Sequence, residues 1–159
     1  MTDSINIFIK KHYTKRDLYI SSKVDEIYLE PIVKVWKEYG IRKREIILLG
    51  MVIGYKLEKI DKIKHIIDCG GIGKNKGKLK DMGQLVDFGP RDLSLILSLC
   101  IAKYGIDKTI SQFDEILDEL RDLSEKGIMF LYCNLFNTFV IKDKQLEYLQ
   151  NIDKLISAH

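Results

Sequence analysis

The sequence predicts a mainly α-helical protein, a compact bundle of six or seven helices with a short strand near the N-terminus. Of its 159 residues, 46% are hydrophobic, which is enough to form a buried core. Two prolines and abundant Leu, Ile, Lys and Glu favour helices. Apolar residues also recur at helical spacing along most of the chain. The length fits one helical domain, residues 1–159.

The N-terminal region contains the predicted strand. Residues 1–15 do not have the basic start and apolar core of a secretory signal, and we expect them to form a flexible, partly ordered lead-in. Residues 16–21 alternate polar and apolar side chains, with Leu18 and Ile20 on one face. This alternation predicts a short strand.

Two helices are expected to follow the strand. Pro31 fits the first turn of a helix, where its missing N–H is not needed, and Gly40 ends that helix. The second helix, residues 44–57, is apolar nearly all round. Gly50 and Gly54 remove side chains from one of its faces and would let another backbone approach closely. We therefore expect this helix to be central in the fold or buried in a dimer, and we predict that the chain forms a homodimer or a larger homo-oligomer.

The remaining segments are predicted from the same periodicity and from their glycines. They are a helix over 59–67, a mobile basic loop over 70–83, a short extended piece over 84–88, and helices over 89–104, 111–126, 128–140 and 142–156, with Gly127 as the break between the second and third of these.

Composition also bears on location and on bound metals. The longest uncharged apolar stretch, residues 46–55, is ten residues, too short for a membrane-spanning helix, so a cytoplasmic protein is expected. Cys69, Cys100 and Cys133 are odd in number and form no CxxC pair. They indicate neither a disulfide framework nor a zinc site, and we expect no metal and no cofactor.

Charge is distributed unevenly along the chain. Residues 1–80 contain 18 Lys+Arg and 10 Asp+Glu, whereas residues 81–159 contain 8 and 13. This asymmetry favours a basic face for an anionic partner and an acidic face for another partner. The alternative is that both are ordinary solvated helix surfaces.

The glycine-rich loop does not fit a phosphate-binding motif. Five residues lie between Gly71 and Gly77 where the nucleotide-binding loop requires four, and Leu79 follows Lys78 where Ser or Thr is needed. No Ser, Cys or His has a partner in sequence that indicates nucleophilic or acid–base catalysis. We therefore expect no enzyme activity.

Six cations are the predicted nucleic-acid contacts, three at a helix start and three in the loop: Arg42, Lys43, Arg44, Lys74, Lys76 and Lys78. A helix N-terminus attracts phosphate, and adjacent cations add to this attraction. The order strand, helix, turn, basic helix start over residues 16–57 resembles the ribbon–helix–helix DNA-binding unit. That unit pairs the strands of two chains, and here Tyr19 and Ser21 would face the bases.

A second resemblance covers roughly residues 38–136. The run from Tyr39 to Leu57, the later LSLILSLCIAKYGID and the helix ending LSEKGIMFL resemble a small protein family associated with bacterial DNA phosphorothioation (Dnd) systems. The residues that carry the match are Gly54-Tyr55-Lys56 and Lys126-Gly127-Ile128. The resemblance implies an accessory role in defence against foreign DNA, with no catalytic residues.

The expected function is therefore a non-enzymatic accessory protein of a DNA-modification or phage-defence system, which binds double-stranded DNA, a protein partner or both. The alternative is an adaptor or inhibitor that uses its acidic C-terminal half and does not bind DNA. A transcription factor of the antitoxin type lies between the two. The predicted protein-binding residues, on the exposed side of an amphipathic helix, are Asp118, Glu119 and Asp122.

Overall fold

The computed structural model describes residues 16–59 and 76–136. This part of the chain is mainly helical and contains one two-stranded antiparallel sheet, which confirms the predicted class. The helices expected over 59–67 and 142–156, the lead-in 1–15 and most of the glycine-rich loop lie outside the described residues.

The first strand, β1, spans Asp17–Ser21, as predicted. One continuous helical segment, α1, follows it over residues 22–39; it consists of Ser22–Val24, the π-helical turn Asp25–Leu29, Glu30–Trp36 and the 3-10 turn Lys37–Tyr39. The helix thus begins upstream of Pro31, where the sequence had predicted its start. Proline has no N–H to donate and its ring crowds the preceding turn, and the wide π-helical turn before Pro31 accommodates both effects.

Four more helices follow in the described residues. They are α2 (Lys43–Lys59), α3 (Gly89–Tyr104), α4 (Ile106–Ser111) and α5 (Phe113–Leu131), the last continuing into a π-helical turn, Tyr132–Phe136. The described part therefore contains five helices where six or seven were expected for the whole chain. One reason is that Gly127 does not break a helix: α5 runs through it.

Glycines let α2 and α5 pack backbone to backbone in the centre of the fold. A Cβ on Gly127 would overlap the backbone of Gly50, and a Cβ on Gly54 would overlap the backbone of Leu123. A helical glycine costs about 1 kcal/mol relative to alanine, and the close packing offsets this cost. The predicted close approach at Gly50 and Gly54 is confirmed, but the partner is α5 of the same chain. A homodimer would need another surface.

The second strand, β2, spans Leu79–Gln84 and pairs antiparallel with β1. The backbone carbonyls of Lys76 and Lys78 accept hydrogen bonds from the first N–H groups of α1. Residues 76–83, predicted as part of a mobile loop, are therefore tied to the body of the protein. The extended piece predicted over 84–88 was also misplaced, because Leu85–Phe88 is a 3-10 turn.

The inward face of β1 completes the core against α5. Leu18 and Ile20 are buried, as their alternation predicted. None of the helices in residues 16–59 and 76–136 combines the length and apolar character needed to cross a membrane.

Candidate functional site

The first charged cluster surrounds Asp25, which lies in the π-helical turn of α1 and is completely buried. The ammonium groups of Lys43 and Lys80 lie 2.6 Å from its two oxygens, Oδ1 and Oδ2. Lys43 also contacts Glu30 at 2.6 Å. The hydrogen bond to Asp25 and its charge raise the pKa of Lys80. Because a buried carboxylate is costly unless it is paired, these lysines hold α1, α2 and β2 together.

The second cluster surrounds Glu125 of α5, which is also completely buried. Its Oε1 accepts a hydrogen bond of 2.7 Å from the backbone N–H of Ser21, and its Oε2 lies 2.9 Å from the Lys76 ammonium. The same ammonium is 3.7 Å from Asp122. Lys76 thus connects the segment before β2 to α5, and Glu125 connects α5 to β1.

The start of α2 is bound by a carboxylate of its own first turn. Glu45 accepts a 2.7 Å hydrogen bond from the backbone N–H of Arg42, and its other oxygen is 3.2 Å from the Arg42 guanidinium. The backbone hydrogen bond is the main cause that lowers the pKa of Glu45. This is the return half of a capping box, in which a carboxylate in the first turn satisfies a helix N-terminus. The position predicted for a DNA phosphate therefore already holds a carboxylate.

The predicted nucleic-acid contacts have different environments. Lys43 and Lys76 pair with buried carboxylates, and Arg42 pairs with Glu45. The Arg44 guanidinium lies over the Phe88 ring, 5.8 Å from its centre. Lys78 is exposed, and Lys74 lies outside the described residues.

The β1 strand also differs from that of a ribbon–helix–helix unit. It pairs with β2 of the same chain, whereas that unit pairs strands from two chains. Tyr19 is exposed, as a base-facing residue would be, but Ser21 is buried and its N–H binds Glu125.

The predicted protein-binding residues lie on the outer face of α5. The side chains of Asp118 and Asp122 are 71% and 53% exposed. Glu119 accepts a hydrogen bond from the Tyr104 hydroxyl. Burial, followed by this bond, raises the pKa of Tyr104. Asp118 and Asp122 thus remain accessible, while Glu119 is engaged with α3.

A cleft of about 320 Å³ separates this face of α5 from β1. It is lined by Arg16, Asp17, Leu18, Tyr19, Asp114, Leu117, Asp118 and Arg121. Two ion pairs cross or border it: Arg16 with Asp114 at 3.0 Å, and Arg121 with Asp118 at 3.1 Å. The sequence did not predict this site. The spacing of Asp114, Leu117, Asp118 and Arg121 indicates one helix face, but only the fold places β1 opposite to it.

A smaller cleft of about 240 Å³ lies between the C-terminal ends of α2 and α3. It is lined by Tyr55, Glu58, Lys59, Ala102 and Lys103. Lys103 pairs with Glu58 at 2.5 Å, and the Lys59 ammonium lies 4.6 Å from the centre of the Tyr55 ring. Its lysines already have partners within the chain.

Thiol and metal chemistry have little basis in the described residues. Cys100 is buried, and burial raises the pKa of its thiol to about 12. Cys133 is half-buried, and Cys69 lies outside the described residues. No group of three or more His, Cys, Asp or Glu side chains is placed to hold a metal ion within residues 16–59 and 76–136.

No protein-family model, curated protein or solved structure matches the sequence.

Proposed function

We propose that the chain is a non-enzymatic, cytoplasmic accessory protein that binds a protein partner through the outer face of α5. The observation that carries this proposal is the exposure of Asp118 and Asp122 beside a cleft that has β1 as its other wall. A surface of exposed carboxylates fits a partner with a basic surface, because complementary charge guides association and selects partners.

The alternative surface, the predicted DNA-binding cations, has less support. Lys43 and Lys76 neutralise Asp25 and Glu125, both of which are fully buried. Moving Lys76 to a phosphate would leave Glu125 buried without its cation, and moving Lys43 would leave Asp25 with Lys80 alone. Breaking a buried ion pair in this way costs several kcal/mol. Arg42 is already paired with Glu45 at the start of α2.

DNA binding stays a second candidate because one of the predicted contacts within the described residues is available. Lys78 is exposed, and no carboxylate within the described residues lies within ion-pair distance of it. The resemblance to a family associated with DNA phosphorothioation favours a setting in a DNA-modification or defence system. In that setting the protein partner would be another component of the defence system, and DNA would be contacted weakly or by that partner.

The test is a pull-down with the purified products of neighbouring genes. The variant Asp118→Lys/Asp122→Lys reverses two exposed carboxylates of the proposed surface. The matched control, Glu26→Lys/Asp107→Lys, makes the same change in net charge at two exposed positions elsewhere. We expect the first variant to lose the partner and the control to keep it. If both variants keep it, the partner does not bind this face of α5.

A further inference from the structure

We propose that the cleft between β1 and α5 receives a single arginine side chain of the protein partner. This inference rests on the proposed function, because it names the chemistry by which the outer face of α5 recognises that partner. The cleft volume, about 320 Å³, lies at the lower end of the range of about 300–1,000 Å³ that is usual for ligand pockets. It therefore suits one side chain rather than a whole element of secondary structure.

The walls combine an aromatic face, an aliphatic surface and carboxylates. Tyr19 of β1 is 38% exposed, so its ring can be reached from solvent. Leu117 of α5 is half-buried on the opposite wall. A guanidinium stacks on an aromatic ring, and its aliphatic stem packs on apolar surface. Both contacts are offered within one cleft.

The β1 side of the cleft has the carboxylate of Asp17 beside the cation of Arg16. Asp17 and, more weakly, Asp81 raise the pKa of Tyr19, with partial burial contributing between the two. Asp17 has no cation within ion-pair distance in the described part of the chain; it accepts a 3.4 Å hydrogen bond from the Tyr19 hydroxyl. Asp114 and Asp118, in contrast, already have arginine partners. Asp17 is therefore the carboxylate available to an incoming cation.

Two arginines of the chain already bind carboxylates of the cleft. Arg16 and Arg121 form ion pairs of 3.0 and 3.1 Å with the two aspartates of α5. Lysine would be a poorer ligand, because its ammonium group is a point charge, more strongly hydrated and without a planar face to lie on Tyr19. The cleft should therefore prefer arginine to lysine at equal charge.

The experiment measures the binding of two charge-matched fluorescent peptides to the full chain by anisotropy at low ionic strength. Both peptides contain the same number of basic residues; one is all lysine, and the other has its central lysine replaced by arginine. We expect the arginine peptide to bind about five- to tenfold more tightly. Asp17→Asn and Tyr19→Leu should each reduce this preference to less than about twofold. Glu115→Gln, which removes an exposed charge of α5 outside the cleft, should leave it unchanged.

The outcomes separate the cleft from the wider surface. Equal binding of the two peptides overturns the arginine cleft, as does a preference that survives in Asp17→Asn and Tyr19→Leu, or no binding of either peptide. The variants of β1 do not alter Asp118 or Asp122, so the pull-down with reversed charges tests the outer face of α5 independently. A wild-type protein that captures its partner but shows no arginine preference would keep the proposed function and remove the arginine cleft.

Discussion

The lysines around β2 and the aspartates of α5 are both charged groups on the same small fold, yet they are used in opposite ways. Lys43, Lys76 and Lys80 direct their ammonium groups to carboxylates that are completely buried. Asp118 and Asp122 have side chains that are more than half exposed. The lysines therefore mainly stabilise the fold. The two aspartates keep most of their surface in solvent, although Asp118 pairs with Arg121 and Asp122 with Lys76.

This difference shows that the charge of a segment does not decide its role. The glycine- and lysine-rich segment was expected to be the interaction surface because it is basic and has little to bury. Two of its lysines, Lys76 and Lys80, instead place their ammonium groups against carboxylates that the fold has removed from water. The predictions below begin with the packing of α5 against α2 and then test this division of roles.

The largest effect, a loss of stability, is expected where α5 packs against α2. Gly127→Ala places a Cβ against the backbone of Gly50, and neither main chain can move aside without repacking α2 and α5. We expect a loss of about 3 kcal/mol or more in the free energy of unfolding, despite the higher helix propensity of alanine. Ser98→Ala on the exposed side of α3 is the control, expected within about 0.5 kcal/mol of wild type in urea unfolding. An unchanged Gly127→Ala variant would contradict the close packing of these helices.

The next largest effect is a difference in stability between variants of two neighbouring lysines. Lys76→Met leaves Glu125 buried without its cation, whereas Lys78→Met removes an exposed charge. Removing one partner of a buried pair costs about 3–5 kcal/mol, and the 34% exposure of Lys76 reduces our expectation to about 1–3 kcal/mol. Lys78→Met should stay within about 0.5 kcal/mol of wild type. Equal midpoints in urea for the two variants would mean that Lys76 does not neutralise Glu125.

A second substitution sharpens that test. In the Lys76→Met background, Glu125→Gln removes the unpaired charge but keeps an oxygen that can accept the N–H of Ser21. The double variant should therefore be more stable than Lys76→Met alone.

A smaller, pH-dependent effect is expected at the start of α2. Glu45→Ala removes the carboxylate that binds the backbone N–H of Arg42 and should cost about 0.5–1 kcal/mol at pH 7. The fold lowers the pKa of Glu45 below its ordinary 4.5, so this stabilisation is present above that pH and is lost as pH falls through the folded-state value. Thermal unfolding of both proteins at a series of pH values measures it. Glu115→Ala, in the first turn of α5, is the control. A difference that persists at the lowest pH would argue against a role for the Glu45 charge.

The smallest effect is expected in the binding of duplex DNA. Six phosphate contacts would give a slope of about −5 in log K against log salt. Lys43, Lys76 and Arg42 are in ion pairs, and Arg44 lies over Phe88. Lys74 and Lys78 are the two predicted contacts that remain, so any binding to a duplex should have a slope no steeper than about −2. A salt titration by anisotropy measures this slope. A slope near −5 with a folded protein would mean that the buried carboxylates give up their lysines to DNA.

Much of the secondary structure could be predicted because its causes are local. The alternation of Leu18 and Ile20 gave β1, and glycine in the left-handed region ends α1 at Gly40, where φ is 76°. Gly105, with φ of 83°, ends α3 as expected. The predicted helix break at Gly127 was wrong because glycine can either end a helix or let another backbone approach closely. Its neighbours in sequence do not distinguish these two uses.

The sequence by itself determined the helical class, the first strand and the close approach at Gly50 and Gly54, since these follow from periodicity and from the absence of a side chain. Only the tertiary structure decided which charges are internal. Lys76 and Lys78 are nearly equivalent in sequence, yet one meets a buried carboxylate 49 residues away and the other meets solvent. The partner of Lys80 is 55 residues away. The cost of removing a charge from water depends on everything packed around it, and those neighbours come from distant parts of the chain.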